Sequence, residues 1–195
     1  MDQSARIKKY LSQIPKNLNW VDVACGNGCL SKILVDHADA NVLAIDARDY
    51  FQFKTYARIN FITKNIEDAD FFDIIKTYDA ILYLGHFYHT IKNEEIVKIF
   101  SESTAKYLLL ESKVHNFNSA TSKKETVNFY VESTSNNYQP YSDSNKELSI
   151  CQPNLPWTLS ILNKYGWTIN DYDCVIAKSS IDGKIFQSYL IFAQR

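Results

Sequence analysis

The sequence predicts a doubly wound α/β fold: a mostly parallel sheet, helices on both faces, and an antiparallel hairpin at the end. Three observations predict it. Short apolar runs alternate with helical patterns over residues 20–110, the rhythm of βαβ units. The run at Tyr78–Leu84 is apolar on both faces, Trp20–Ala24 reads as a buried strand and Asn41–Ile45 as an apolar one, as expected of strands between two helical layers. Near the end, Asp182-Gly183 stands between two strand-like runs, a strong hairpin signal.

The elements follow in order. Residues 3–14 read as a helix, with Ile7, Tyr10, Leu11 and Ile14 at helical spacing, stopped by Pro15 because the residue before proline avoids helical geometry. Trp20–Ala24 is the first strand, and Gly26 and Gly28 follow at once. A helix runs from about Leu30 to His37, and Asn41–Ile45 is a strand that ends on Asp46. Residues 48–58 read as helical, Asn60–Thr63 as a strand, and 67–76 as a short acidic turn or helix. Tyr78–Leu84 is the fourth strand. Residues 93–104 are an amphipathic helix, and Tyr107–Leu110 is the fifth strand. Right-handed crossovers leave few ways to connect such units. Residues 112–154 change character: they are polar and rich in Ser, Asn, Lys and Tyr. A stretch of that length inside a compact domain reads as a functional lid or a disordered segment. Helical character returns over 156–165, with Gly166 where a C-cap is expected. Tyr172–Ser179 and Lys184–Ala193 form the hairpin.

With 195 residues the chain suits one domain, 1–195. Hydrophobic residues at 46 % and charged residues at 22 % are globular proportions, and a domain of this size buries roughly 70 % of its unfolded surface. The net charge of −1 announces neither nucleic acid nor membrane as a partner, although a local basic patch is compatible with it. The beginning is polar, without an apolar signal core, and no run approaches the ~20 apolar residues of a membrane span. The four cysteines lack zinc spacing, so reduced thiols, a cytoplasmic location and no metal site are expected.

The chemistry concentrates after the first strand, in Asp22-Val-Ala24-Cys25-Gly26-Asn27-Gly28. A glycine-rich turn between strand and helix lets backbone approach a ligand closely. Asp22 either orients that turn or meets an ammonium group. Asp46, 18 residues beyond Gly28, is placed to accept hydrogen bonds from two ribose hydroxyls. A dinucleotide site would want a third glycine where Ser31 stands.

This stretch resembles motif I of the class I S-adenosylmethionine-dependent methyltransferases, an acid followed by three alternate glycines. Asp22 matches the acid, Gly26 and Gly28 the last two glycines, and Ala24 replaces the first. Val42–Asp46 is similar to the family's ribose-binding strand. Phe61–Asp68 is similar to its adenine-binding segment, with Asn65 in place of the usual aspartate; the alternative for Asn65 is to cap its own turn. Tyr78–His89 resembles the fourth strand and its loop, which borders cofactor and substrate. The Leu84–His89 run, with Leu148–Asn154 and Lys164–Trp167, resembles a subgroup of small-molecule methyltransferases and tRNA wobble-uridine carboxymethyltransferases. The resemblance implies a seven-stranded mixed sheet and S-adenosyl-L-methionine as cofactor. It implies a cofactor site of Asp22, Ala24, Cys25, Gly26, Gly28, Asp46, Ala47, Asn65, Ile66, Tyr83 and Leu84.

Methyl transfer is an in-line displacement, so an enzyme mainly positions the partners and excludes water. A base is needed only where the nucleophile holds its proton. His89 is the first candidate, since an imidazole titrates near neutral pH. His86 and Glu111 are the others, each with a structural role as the alternative. The expected acceptor is a small molecule under a lid formed by 112–154, and the expected assembly a monomer or homodimer. An RNA acceptor, or a cofactor-binding partner subunit without activity, are the alternatives.

Overall fold

The computed structural model describes residues 3–114, 122–133, 147–178 and 185–195. Among these, β1 (Asn19–Val23), β2 (Asn41–Asp46), β3 (Ile59–Thr63), β4 (Ala80–Tyr83), β5 (Tyr107–Val114), β8 (Thr168–Lys178) and β9 (Ile185–Gln194) build one seven-stranded sheet in the order β3-β2-β1-β4-β5-β9-β8. The first five strands are parallel. β9 runs antiparallel to both β5 and β8. The hairpin turn at Asp182-Gly183 lies outside the described residues.

Alternation along the strands builds two cores. Val21, Val23, Leu43, Ile45, Ile81, Tyr83, Leu108 and Leu110 face α3 (Phe71–Ile75), α4 (Asn93–Glu102) and α5 (Leu155–Lys164), packing with Phe71, Ile96, Phe100 and Leu162. Trp20, Val42, Ala44, Ala80, Leu82, Leu109 and Phe192 face α1 (Gln3–Leu11) and α2 (Cys29–Ala38), packing with Ile7, Tyr10, Leu34 and Val35. Both faces of the central strands are therefore dry, which is why their sequences are mostly apolar. α5 starts on Asn154, whose side chain accepts from the Trp157 amide. It ends with Gly166 at φ +81° and the Trp167 amide bonded back to the Leu162 carbonyl, the cap expected from Gly166. No helix among the described residues is long and apolar enough to cross a membrane.

Two expectations are corrected. Residues 48–58 are turns, not a helix. Asp46 takes the Arg48 amide at 2.9 Å, and the Gln52 amide donates to Asn27 at 3.1 Å. Phe51 and Phe53, two residues apart, meet edge to face, whereas a helix would point them apart. The polar stretch 112–154 is also more structured than its composition suggests. β5 runs on to Val114, and β6 (Val127–Ser133) pairs antiparallel with β7 (Glu147–Pro153). Ser112, Cys151, Gln152 and Asn154 are buried. The Cys151 amide donates to Thr90, and the Asn154 amide to Thr126. Such polar strands carry no apolar alternation to read. Phe117, Tyr138 and Tyr141 lie outside the described residues, as does the placement of the Tyr130 side chain.

Candidate active site

The carboxyl ends of β1, β2 and β4 lie side by side, Val23 pairing with both Ile45 and Tyr83. The chain leaving β1 must turn sharply there to enter α2, and three residues in that turn have left-handed backbone: Ala24 at φ +57°, Gly26 at +56° and Gly28 at +84°. Ala24 thus holds a conformation that favours glycine, which explains why the resembling motif has glycine at this place. The two glycines differ in surroundings. A Cβ on Gly28 would fall 2.2 Å from the Phe51 ring, whereas one on Gly26 would meet nothing within 4 Å. Open space beside Gly26 is the cradle that a ligand lying on the turn requires.

Asp46 bounds that space. It is 5 % exposed, and its Oδ2 accepts from the Gly26 amide at 2.9 Å. Its Oδ1 accepts from the Arg48 amide at 2.9 Å and from Arg48 Nε at 3.3 Å. The carboxylate therefore shapes the turn, and a carboxylate oxygen retains capacity for a further hydrogen bond. Arg48 is the residue that sequence reasoning missed here. Its signal was a cation two places after the strand-ending acid.

Asp22 points elsewhere. It is 1 % exposed and accepts from Ser31 Oγ of α2 at 2.5 Å. Burial pushes its carboxyl up to about 7, against the lowering effect of the Ser31 hydroxyl. Of the two roles expected for Asp22, this geometry is that of orienting the turn. Cys25 is buried beside it, and burial raises its thiol. Asn65 is bent onto its own turn, its Oδ1 accepting from the Glu67 amide at 3.0 Å. Ala47 is half-buried, and Ile66 and Leu84 are buried.

The loop after β4 carries the histidines. Tyr83 is fully buried and packs against Phe87 and Phe100. Its hydroxyl lies 2.9 Å from His86 Nδ1. Burial, reinforced by the neighbouring His89, pulls His86 down to about 4, so its ring is neutral at neutral pH; Asp46 and Arg48 act on it in opposite senses. A 3-10 turn, Phe87–His89, then places the His89 ring 6.1 Å from His86 and 4.1 Å from Tyr88, centroid to centroid. Asn93 braces this turn by donating to the Phe87 carbonyl, and the Cys151 thiol of β7 donates to Thr90 at 3.1 Å.

Glu111 does not join this group. It is 2 % exposed and takes Arg6 at 3.3 Å, Gln3 at 2.6 Å and Ser188 at 2.8 Å. Arg6 also pairs with Asp173. Of the two roles expected for Glu111, this geometry is that of a strut between α1, β5 and β9.

No protein-family model and no curated protein matches the sequence. Solved structures do match. The N-terminal domain of EvdMO1, crystallised in the presence of S-adenosylhomocysteine and D-fucose, superposes with a TM-score of 0.72 at 12 % identity, over 100 % of this chain and 84 % of that one. Burkholderia thailandensis 1,6-didemethyltoxoflavin-N1-methyltransferase, with 1,6-didemethyltoxoflavin and S-adenosylhomocysteine bound, gives 0.65 at 12 %, over 98 % and 76 %. The chain has the class I methyltransferase fold. The [4+2]-cyclase SpnF shares it, with a TM-score of 0.65 at 9 % identity over 97 % and 80 %. On the class I methyltransferase fold, then, the reaction has to be argued from the residues at the glycine turn.

Proposed function

We propose that the chain is an S-adenosylmethionine-dependent methyltransferase acting on a small-molecule acceptor. One observation carries the reading: Asp46 closes β2 beside a turn whose Gly26 faces open space. A carboxylate there accepts the hydroxyls of a ribose, and glycine backbone lets an amino-acid moiety lie close. The cofactor, when bound, supplies an electrophilic methyl group and its own leaving group. The chain's residues do the rest. Asp46 and the Gly26 turn bind and orient, Ala47 and Leu84 offer apolar wall, and Asn65 and the Ile66 amide are the adenine-side candidates. His89 receives the acceptor's proton where there is one to lose, with neutral His86 as the second candidate.

A small acceptor agrees with a net charge of −1, and by analogy with the D-fucose and toxoflavin compound crystallised with structural neighbours. Within 112–154 the pair β6–β7 forms the cover, hinged on a base that Cys151 and Asn154 anchor. Four free thiols suit the cytoplasm, and a monomer or homodimer suffices for the reaction. Titration calorimetry with S-adenosylhomocysteine tests the reading. Binding is expected in the wild type and weakened by about 1.5–3 kcal/mol in Asp46→Ala, because a charged acceptor is lost. Equal affinity in both proteins removes Asp46 from the site and the reading with it. The SpnF likeness favours a second reading, in which this fold serves another reaction. Incubation with methyl-labelled cofactor and a metabolite extract separates the two, since only a methyltransferase consumes the label.

A further inference from the structure

At the amino ends of β1, β2 and β3 lies a cavity of about 380 Å³, and Asn19, Asn41, Leu43, Arg58, Asn60 and Tyr78 are in its lining. That volume is in the range of small-molecule sites. Asn19 opens β1 and Val23 closes it, roughly 13 Å further along. The cavity is therefore at the opposite end of the sheet from the Gly26 turn.

Register arranges the lining in two rows. Asn19 pairs with Asn41, and Leu43, two residues on, pairs with Asn60. Alternation puts both rows on one face, with buried Leu43 as an apolar floor between exposed asparagines. Tyr78 stands just before β4, beside β1. Its neighbour Asp79 is tied to Asn19 by two bonds of 2.9 Å, the Asp79 amide to the Asn19 carbonyl and the Asn19 amide to Asp79 Oδ2. From β4 to β3 the lining crosses three strand spacings, roughly 14 Å, enough for two rings joined end to end.

The polar groups fix the kind of ligand. Asn41 Nδ2 donates to Asn19 Oδ1 at 3.3 Å. A side-chain amide has two hydrogens and an oxygen with two lone pairs, so the bonded pair still offers Asn19 Nδ2 as a donor and Asn41 Oδ1 as an acceptor. A donor beside an acceptor matches the edge of a nucleobase, where an amino group or N–H stands next to a ring nitrogen or carbonyl. Both asparagines sit on strands, which hold them in place before a ligand arrives. Tyr78 adds an aromatic ring of the kind on which bases stack. Arg58 brings the charge of this lining, and Asp39 meets it through an ion pair and a carbonyl accepting at 3.1 Å. A neutral ligand suits such a lining better than a phosphate.

We propose that this cavity is a second binding site and that it takes a neutral nucleoside. The base edge pairs with Asn19 and Asn41, the base lies against Tyr78, and Asn60 and Arg58 meet the pentose hydroxyls. The site does not depend on the methyltransferase reading.

Adenosine, guanosine, cytidine and uridine provide the test. Each is titrated into the ¹⁵N-labelled full chain, with S-adenosylhomocysteine added to keep nucleosides from the Gly26 turn. At least one nucleoside is expected to shift the amides of Asn19, Asn41 and Asn60 and to leave those of Gly26 and Gly28 in place. Methylating its base edge, as in N6,N6-dimethyladenosine or 3-methyluridine, should weaken binding ten-fold or more. Asn19→Ala and Asn41→Ala, at exposed positions and checked for folding by thermal melts, should each do the same. The 5′-monophosphate should bind no tighter than the nucleoside. The proposal is overturned if no nucleoside shifts these amides, or if base methylation and both substitutions leave the affinity unchanged. A monophosphate bound ten-fold tighter overturns it as well. Because the Gly26 and Gly28 amides are followed in the same spectra, S-adenosylhomocysteine binding is read separately from this outcome.

Discussion

Asp22 and His86 are displaced in opposite directions by the same cause, burial. Asp22, at about 7, sits above the ordinary carboxyl value of about 4. Between those two values the folded state holds a proton that the unfolded chain has released, so stability falls as pH rises, by about 1.4 kcal/mol per unit. His86, at about 4, sits below the ordinary value of about 6.5. Between these the unfolded chain holds the extra proton, and stability rises with pH by a similar amount. From about pH 4.5 to 6.5 the two slopes cancel. Asp22→Asn removes one of them. Urea titrations across that range are expected to show the difference in stability between mutant and wild type growing with pH, in the mutant's favour, by about 1.4 kcal/mol per unit. Parallel profiles would return Asp22 to an ordinary carboxylate. The glycines give a second residue-scale test. Gly28→Ala meets both left-handed backbone and the Phe51 ring, together about 2–5 kcal/mol. Gly26→Ala meets only the backbone cost of about 1–2 kcal/mol, yet fills the ligand's cradle. Melting should therefore rank Gly28→Ala as the less stable, while calorimetry finds Gly26→Ala folded and poor at binding S-adenosylhomocysteine. The opposite ranking would mean that Gly26 is a structural corner.

At the scale of elements, β6 and β7 are the described part of the proposed cover. Near the base, Asn154 Oδ1 accepts from Thr126 and Trp157, both at 3.1 Å, and its Nδ2 donates to the Lys124 carbonyl at 2.8 Å. Phe129, directly opposite Cys151, is 73 % exposed. Hydrogen exchange is expected to be slow at Cys151 and Asn154 with or without ligand. In β6 it should be fast in the apo protein, slowing when S-adenosylhomocysteine and an acceptor are bound. Equal protection of β6 in both states would make the pair a fixed extension. This region also marks how far the sequence could be read. β1, β2 and β4 were legible because a strand buried on both faces is mostly apolar, with Asp22 the exception in β1. The turn of Gly26 and Gly28 was legible because left-handed backbone leaves few residue choices. β6 and β7 were not, since backbone groups of β7 find partners distant in sequence, Thr90 and Tyr189 among them. The helix read over 48–58 failed for a related reason: Phe51 is drawn to Gly28 and Phe61, contacts that no local periodicity records.

Over the whole molecule, Arg6 joins parts far apart in the chain. It bonds Glu111 of β5, Asp173 of β8 and Ser188 of β9, so α1 is fastened to the antiparallel half of the sheet. Arg6→Ala would leave Glu111 buried and uncompensated, at a cost of about 3–5 kcal/mol. Arg6→Met with Glu111→Leu, which removes both charges, is expected to recover most of that loss in denaturant titrations. If the double variant is as unstable as the single one, the packing of the Arg6 stem, not its charge, holds α1 in place.

The sheet order has a consequence for a chain being made on a ribosome. β9 is translated after both β5 and β8, yet it lies between them, pairing Tyr107 with Gln194. Until it arrives, the long apolar side of β5 has no neighbour, and β8 has nothing in the sheet to hold. At about 5–20 residues per second, the stretch from β5 to β9 takes about 4–16 s to synthesise. Throughout that time the nascent chain presents an unpaired strand rich in leucine to its surroundings, the kind of surface that holdase chaperones bind and that aggregates propagate from.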